Sequence, residues 1–201
     1  MAYWRAKWRR KITLAQSAAF AALPVPKLTN PDIIALRFLQ EAGYSGFSDA
    51  PSDMQRECSI RAANLVYAQL EEILRNNGAV TVETVLSTDK YLGFFKQVAA
   101  TGGIANLIYI GNQNPAISVE RVAIRVRKGG HDVPVEKIHS RWHRSLQMLP
   151  LFWKIATEAW LFDYSDALSP PTLLLHKSDG RTLPYASSPN ANNVLWRAIM
   201  G

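Results

Sequence analysis

Short extended stretches alternate with helical segments through most of this chain, and no other feature narrows its fold as far. "VPKL" reads as a short extended piece and "IANLIYIG" as a buried strand. "TNPDIIALRFLQEAG" reads as a helix with Asn30 at the N-cap, Pro31 in the first helical position, Asp32 in the first turn and Gly43 past the end. A long amphipathic helix starts at "DMQREC" and closes on Asn77–Gly78. "AVTVETVLS" is predicted to run from strand into loop. Helices are predicted over Ile12–Leu23, "TDKYLGFFKQVAATGG", "NPAISVERVAIRVRKGG", "VPVEKIHSRWHRSLQML" and "PLFWKIATEA". "WLFDYSD" and "PTLLLHKSDGRTL" read as strands, and "SPNANNVLWRAIM" as a closing helix. Strands alternating with helices predict an α/β fold, a parallel sheet covered by helices on both faces.

A chain of 201 residues with 48% apolar content can bury one substantial core, so a single domain is expected. No apolar run approaches the roughly 18–20 residues that cross a bilayer, and the basic start lacks the apolar core of a signal peptide. The single Cys58 excludes an internal disulfide and fits a cytoplasmic location. The net charge is +7, but Arg5, Lys7, Arg9, Arg10 and Lys11 sit together at the front and the rest is nearly neutral. No wider basic patch interleaved with aromatics points to nucleic acid.

The stretch from "VETVLS" through "GGHDVP" to "WLFDYSD", with "VPKLTNPDIIA" upstream, resembles the zeta-toxin-like P-loop kinases. "NPDII", "ETVLS" and "GGHDVP" carry the resemblance by their order and spacing, over residues 12–166; residues 167–201 lie outside it as a C-terminal extension. The resemblance implies a P-loop NTPase-like, doubly wound sheet. It implies transfer of the γ-phosphate of ATP, with Mg²⁺, to a hydroxyl of a small acceptor, in the toxin members a UDP-amino sugar. It also implies a small antitoxin protein as a partner.

Such a kinase needs a glycine-rich loop whose N–H groups cradle phosphate, followed by a Lys and a Ser or Thr for Mg²⁺. No G-x-x-x-x-G-K-[ST] occurs in this chain, and "WRAKWRRKI" stands in its expected place. A Trp codon followed by an Arg codon, read one base later, becomes a glycine codon. Read so, Trp4 through Ile12 can become Gly-x-Pro-Asn-Gly-Ala-Gly-Lys-Ser, with Thr13 following in the original frame. One reading of residues 1–11 is therefore a frameshift across the phosphate loop, with the first strand missing. The other is a basic N-terminal arm. In the chain as written Lys11 stands as the loop lysine and Thr13 one position late for the metal, while Ile12 has no hydroxyl.

By the same resemblance Asp32 takes the proton of the acceptor hydroxyl, although an acidic residue is also favoured there by the helix dipole. Glu83, Thr84 and Ser87 hold the acceptor at a strand's carboxyl end, where open α/β sheets gather ligands; a polar strand end facing water is the plain alternative. Arg121 and Arg125 share a helix face, and at least one of them is expected to meet the transferred phosphate. His131 replaces a phosphate-contacting Arg of the best-known toxins, and Arg141 or Arg144 can reach phosphate or remain surface charge. His139, His143 and His176 show no metal spacing. The rival from another class is a non-catalytic binding protein that keeps the acceptor pocket without ATP.

Overall fold

The computed structural model describes residues 28–127, 132–185 and 192–201. Lys11, Thr13 and His131 lie outside these residues, as does the helix expected over Ile12–Leu23. The described residues form an α/β fold in two sheets. Strands β1 (Leu28–Thr29) and β2 (Thr81–Val82) pair in parallel. Strands β3 (Asn106–Gly111), β4 (Glu158–Asp163), β5 (Thr172–Ser178) and β6 (Arg181–Pro184) form a second sheet in that order.

Between β1 and β2 lies a helix pair, α1 (Pro31–Glu41) and α2 (Ser52–Arg75). Asn30 starts α1 as expected: its side chain accepts from the Asp32 N–H at 2.8 Å, relieving one of the amides that a helix start leaves unpaired. Ala35, Phe38 and Leu39 form the buried face of α1; Cys58 and Ala62 of α2 pack on it at helical spacing. Asn77, at φ 50°, turns the chain out of α2, and the Gly78 N–H closes on the Ile73 carbonyl at 2.9 Å.

Helix α3 (Leu92–Ala100) leads to β3, α4 (Pro115–Val126) follows it, and α5 (Val135–Ile155) leads to β4. β3 and β4 are parallel, registered from Asn106 opposite Glu158 to Gly111 opposite Asp163. The all-parallel expectation stops there. β5 and β6 run antiparallel, joined by Asp179 and Gly180, both at positive φ, a hairpin turn matched to strand twist. The sheet is therefore mixed.

Two helices expected either side of Pro150 are one. Ser145, Leu149, Phe152 and Trp153 make a continuous buried stripe across that residue, and packing this stripe offsets the backbone bond that proline removes. Lys177 of β5 closes the far end: its buried ammonium donates to the carbonyls of Trp153, Lys154 and Ala156 at 2.9, 2.9 and 2.7 Å. Glu158 and Ala159, expected in the helix, already belong to β4.

The segment beyond residue 166 is built into the main core. Leu174, Leu175 and Leu195 pack with Leu107, Leu149, Phe152 and Leu161. Helix α6 (Val194–Met200) presses on Gly111, where a Cβ would meet Leu195 Cδ2 at 2.6 Å. No helix among the described residues is long and apolar enough to cross a membrane.

Candidate functional site

Residues that follow β1, β2 and β3 are tied to the N-terminal half of α5 by charge or by hydrogen bonds. β1 runs into Asn30 and Asp32, β2 into Glu83, and β3 into Asn112. Trp142 of α5 donates its indole N–H to Asn112, 3.1 Å from both the carbonyl and Oδ1. Arg141, one residue earlier, feels the charge of Asp32. Ser145, one turn later, bonds the Val85 carbonyl at 2.9 Å. In open α/β sheets ligands gather at the carboxyl ends of strands, the place these residues occupy.

On its acidic side Glu83 is 8% exposed. Its Oε2 accepts from Asn30 Nδ2 at 2.7 Å, so the cap residue of α1 also holds the carboxylate at the end of β2. Asp32 is exposed in the first turn of α1, open to a ligand. Thr84 is half-buried and its hydroxyl accepts from the Leu86 N–H at 3.2 Å, a turn-forming bond. Ser87 is half-buried just beyond. Between them Leu86 sits at φ 55°, a left-handed conformation uncommon for a branched side chain.

The basic side distinguishes two arginines that the sequence leaves equivalent. Arg121 is taken up internally: its guanidinium donates to the Tyr164 carbonyl at 2.6 Å and lies over the Tyr164 ring at 4.3 Å. Burial lowers its pKa, opposed by Tyr164, Glu120 and Asp163. Arg125, one turn on, has a buried Nε with no hydrogen-bond partner among the described residues. Arg141 is its neighbour in charge. Burial lowers the Arg141 pKa, Asp32 counters this, and Arg144 and Arg125 lower it further. Arg141 of α5 thus lies within reach of the charges of Arg125 of α4 and Arg144 of its own helix, with the Asp32 carboxylate attracting it.

His139 is half-buried and His143 exposed on α5, where the His143 ring meets Trp142 edge-on. His176 Nε2 lies 2.7 Å from Glu158 and its ring stacks on Trp160. No group of three metal-ligating side chains occurs among the described residues. Cys58 is buried in the α1–α2 cluster.

Ser145, Tyr109, Asn30 as a bridge, and the strained Leu86 carry no signal in the sequence. "RWHRSLQML" shows a serine inside an amphipathic helix and nothing more. Comparison with protein-family models, with curated proteins and with solved structures found no match.

Proposed function

We propose that this chain is a zeta-toxin-like, P-loop NTPase-type domain whose crevice binds a phosphate-bearing small acceptor, a UDP-amino sugar being the first candidate. The observation that carries this reading is the buried Nε of Arg125, without a hydrogen-bond partner among the described residues, close enough to Arg141 for their charges to repel. A buried guanidinium N–H without an acceptor is costly, and an anionic oxygen is the partner that relieves the cost. Glu83, Thr84 and Ser87 hold the sugar side. Arg125 and Arg141 hold the phosphoryl oxygens, and in a form with a working phosphate loop Asp32 would take the proton of the acceptor hydroxyl.

The residues of this chain do not fit ATP and Mg²⁺. No glycine precedes Lys11 to form a nest of N–H groups, and Ile12 offers no hydroxyl to a metal. That favours, for the chain as written, the second reading: an acceptor-binding protein without catalysis. Kinase activity belongs to a form in which the phosphate loop is restored.

Thermal unfolding with UDP-N-acetylglucosamine, inorganic pyrophosphate and Mg-ATP tests this. The UDP-sugar at a hundredfold excess over its dissociation constant is expected to raise Tm by about 5–11 °C. Arg125→Ala removes that rise, whereas Arg121→Ala lowers the starting Tm but keeps the rise. Stabilisation by Mg-ATP would restore the kinase reading for this chain, and silence toward both the UDP-sugar and pyrophosphate would end the acceptor reading.

A further inference from the structure

A buried pair of hydroxyls lies under the loop that follows β2. Ser145 is 6% exposed, one turn beyond Arg141 on α5. Its Oγ donates to the Val85 carbonyl at 2.9 Å and lies 3.0 Å from the Tyr109 hydroxyl of β3. A carbonyl only accepts, so the single Ser145 proton is spent on Val85, and Tyr109 is the donor to Ser145 Oγ. Burial pushes the Tyr109 phenol up to about 12, against a smaller lowering by Ser145, so it keeps its proton. The chain of bonds runs one way, from Tyr109 to Ser145 to Val85.

The receiving end needs such a hold. Leu86 reverses the backbone at φ 55° and drops its side chain into the main core at 2% exposure, while Val85 stays 37% exposed. A leucine in this conformation is strained and persists only where its surroundings over-determine it. Three contacts do so: the Leu86 side chain in the core, its N–H on Thr84, and the Ser145 bond to the preceding carbonyl.

We infer that Ser145 is a positioning residue for the Glu83–Ser87 loop, fixing the distance between that loop and Arg141 from one turn along the same helix. The inference rests on the reading of this loop as the acceptor side. It extends that reading by naming what couples the sugar-holding residues to the phosphate-holding ones: a hydroxyl that touches neither ligand.

Ser145→Ala leaves both the Val85 carbonyl and the Tyr109 hydroxyl without partners; Tyr109→Phe leaves the Ser145–Val85 bond in place. In amide hydrogen exchange, Ser145→Ala is expected to speed exchange of the Leu86 N–H about ten-fold more than that of β3 and β4 amides. Tyr109→Phe does so by less than about three-fold. In calorimetric titration, Ser145→Ala weakens UDP-N-acetylglucosamine about ten-fold and leaves pyrophosphate, held by the arginines alone, within about two-fold. A merely structural serine would weaken protection everywhere alike. Equal acceleration in β3, β4 and the loop, or no acceleration at Leu86, overturns the inference. Should Ser145→Ala fail to fold, Ser145→Cys keeps the shape, weakens the donor and carries the same readouts. If Leu86 loosens selectively but the wild-type chain ignores the UDP-sugar, Ser145 still positions the loop and only the acceptor reading falls.

Discussion

The part built on α1 and α2 and the part built on β3–β6 are held together by different means. In the sheet half, a six-residue parallel pairing of β3 with β4 is extended by a hairpin, and fourteen buried residues from strands, helices and the β2 loop form one cluster. In the helical half the sheet shrinks to two residue pairs, and six buried residues, several of them small, join α1 to α2. Acidic and hydroxyl-bearing candidates (Asp32, Glu83, Thr84, Ser87) belong to the helical half, and the arginines to helices packed on the sheet. Among the described residues the ties between the halves include Leu86 in the core, Ser145 on Val85, the Tyr67 ring edge-on to Phe94 at 4.7 Å, Lys90 reaching the Ala63 carbonyl at 3.4 Å, and the attraction between Arg141 and Asp32. A ligand that bridged acid and arginine, as proposed, would span this seam.

The sharpest way to break this comparison is a cavity in the sheet half. Phe152 is fully buried against Phe95, with ring centroids 5.1 Å apart. Phe152→Ala is expected to cost about 3–5 kcal/mol in denaturant unfolding. Native-state hydrogen exchange should show β3 and β4 losing protection by that amount. The α1–α2 amides, which open through the seam at lower free energy, should barely change. Uniform loss in both would make the halves one cooperative unit.

A smaller effect is read in alkali. Tyr109 titrates at about 12 when folded and near 10 when unfolded, so the unfolded chain gives up this proton first. The stabilising contribution is complete below pH 10 and is lost as pH rises from about 10 to 12, amounting to about 2–3 kcal/mol. Unfolding free energies across that range, compared with those of Tyr109→Phe, isolate it: the difference between the two proteins should shrink toward pH 12. A pH-independent difference would mean that the hydroxyl of Tyr109 is not buried at the seam.

The smallest expected effect falls in the helical half. Asn30→Ala removes both the α1 cap and the bond to Glu83, at a cost of about 1 kcal/mol. Exchange should quicken in the first turn of α1 and at β2 while β4 is untouched. An effect of similar size in β4 would say that the seam transmits more than its few contacts suggest.

Local chemistry made several elements legible in the sequence. Asn30–Pro31 and Asn77–Gly78 mark helix ends because capping needs only the residue and its neighbours. The apolar run at Leu107–Tyr109 marks a buried strand for the same reason. The stretch "PTLLLHKSDGRTL", read as strand, is split by a turn at Asp179–Gly180 into β5 and β6, and the sheet is mixed because β5 pairs antiparallel to β4. Pro150 shows the limit of local signals. Read alone it breaks a helix, and only the buried stripe around it, together with Lys177 arriving from another strand, keeps α5 whole.

The sequence by itself determined the residue types at the site: carboxylates and hydroxyls after two short extended stretches, and arginines at helical spacing. Tertiary structure alone decided which of them lie near one another. Arg121 and Arg125 lie on the same helix face, yet one is spent on Tyr164 and the other keeps a buried N–H without a partner among the described residues. Ser145 became the tie between two sheets because Val85, Tyr109 and α5 converge on it from positions 60 and 36 residues away. Hydrogen-bond partners are chosen by proximity in space, and sequence spacing reports that proximity only within a turn or two of helix.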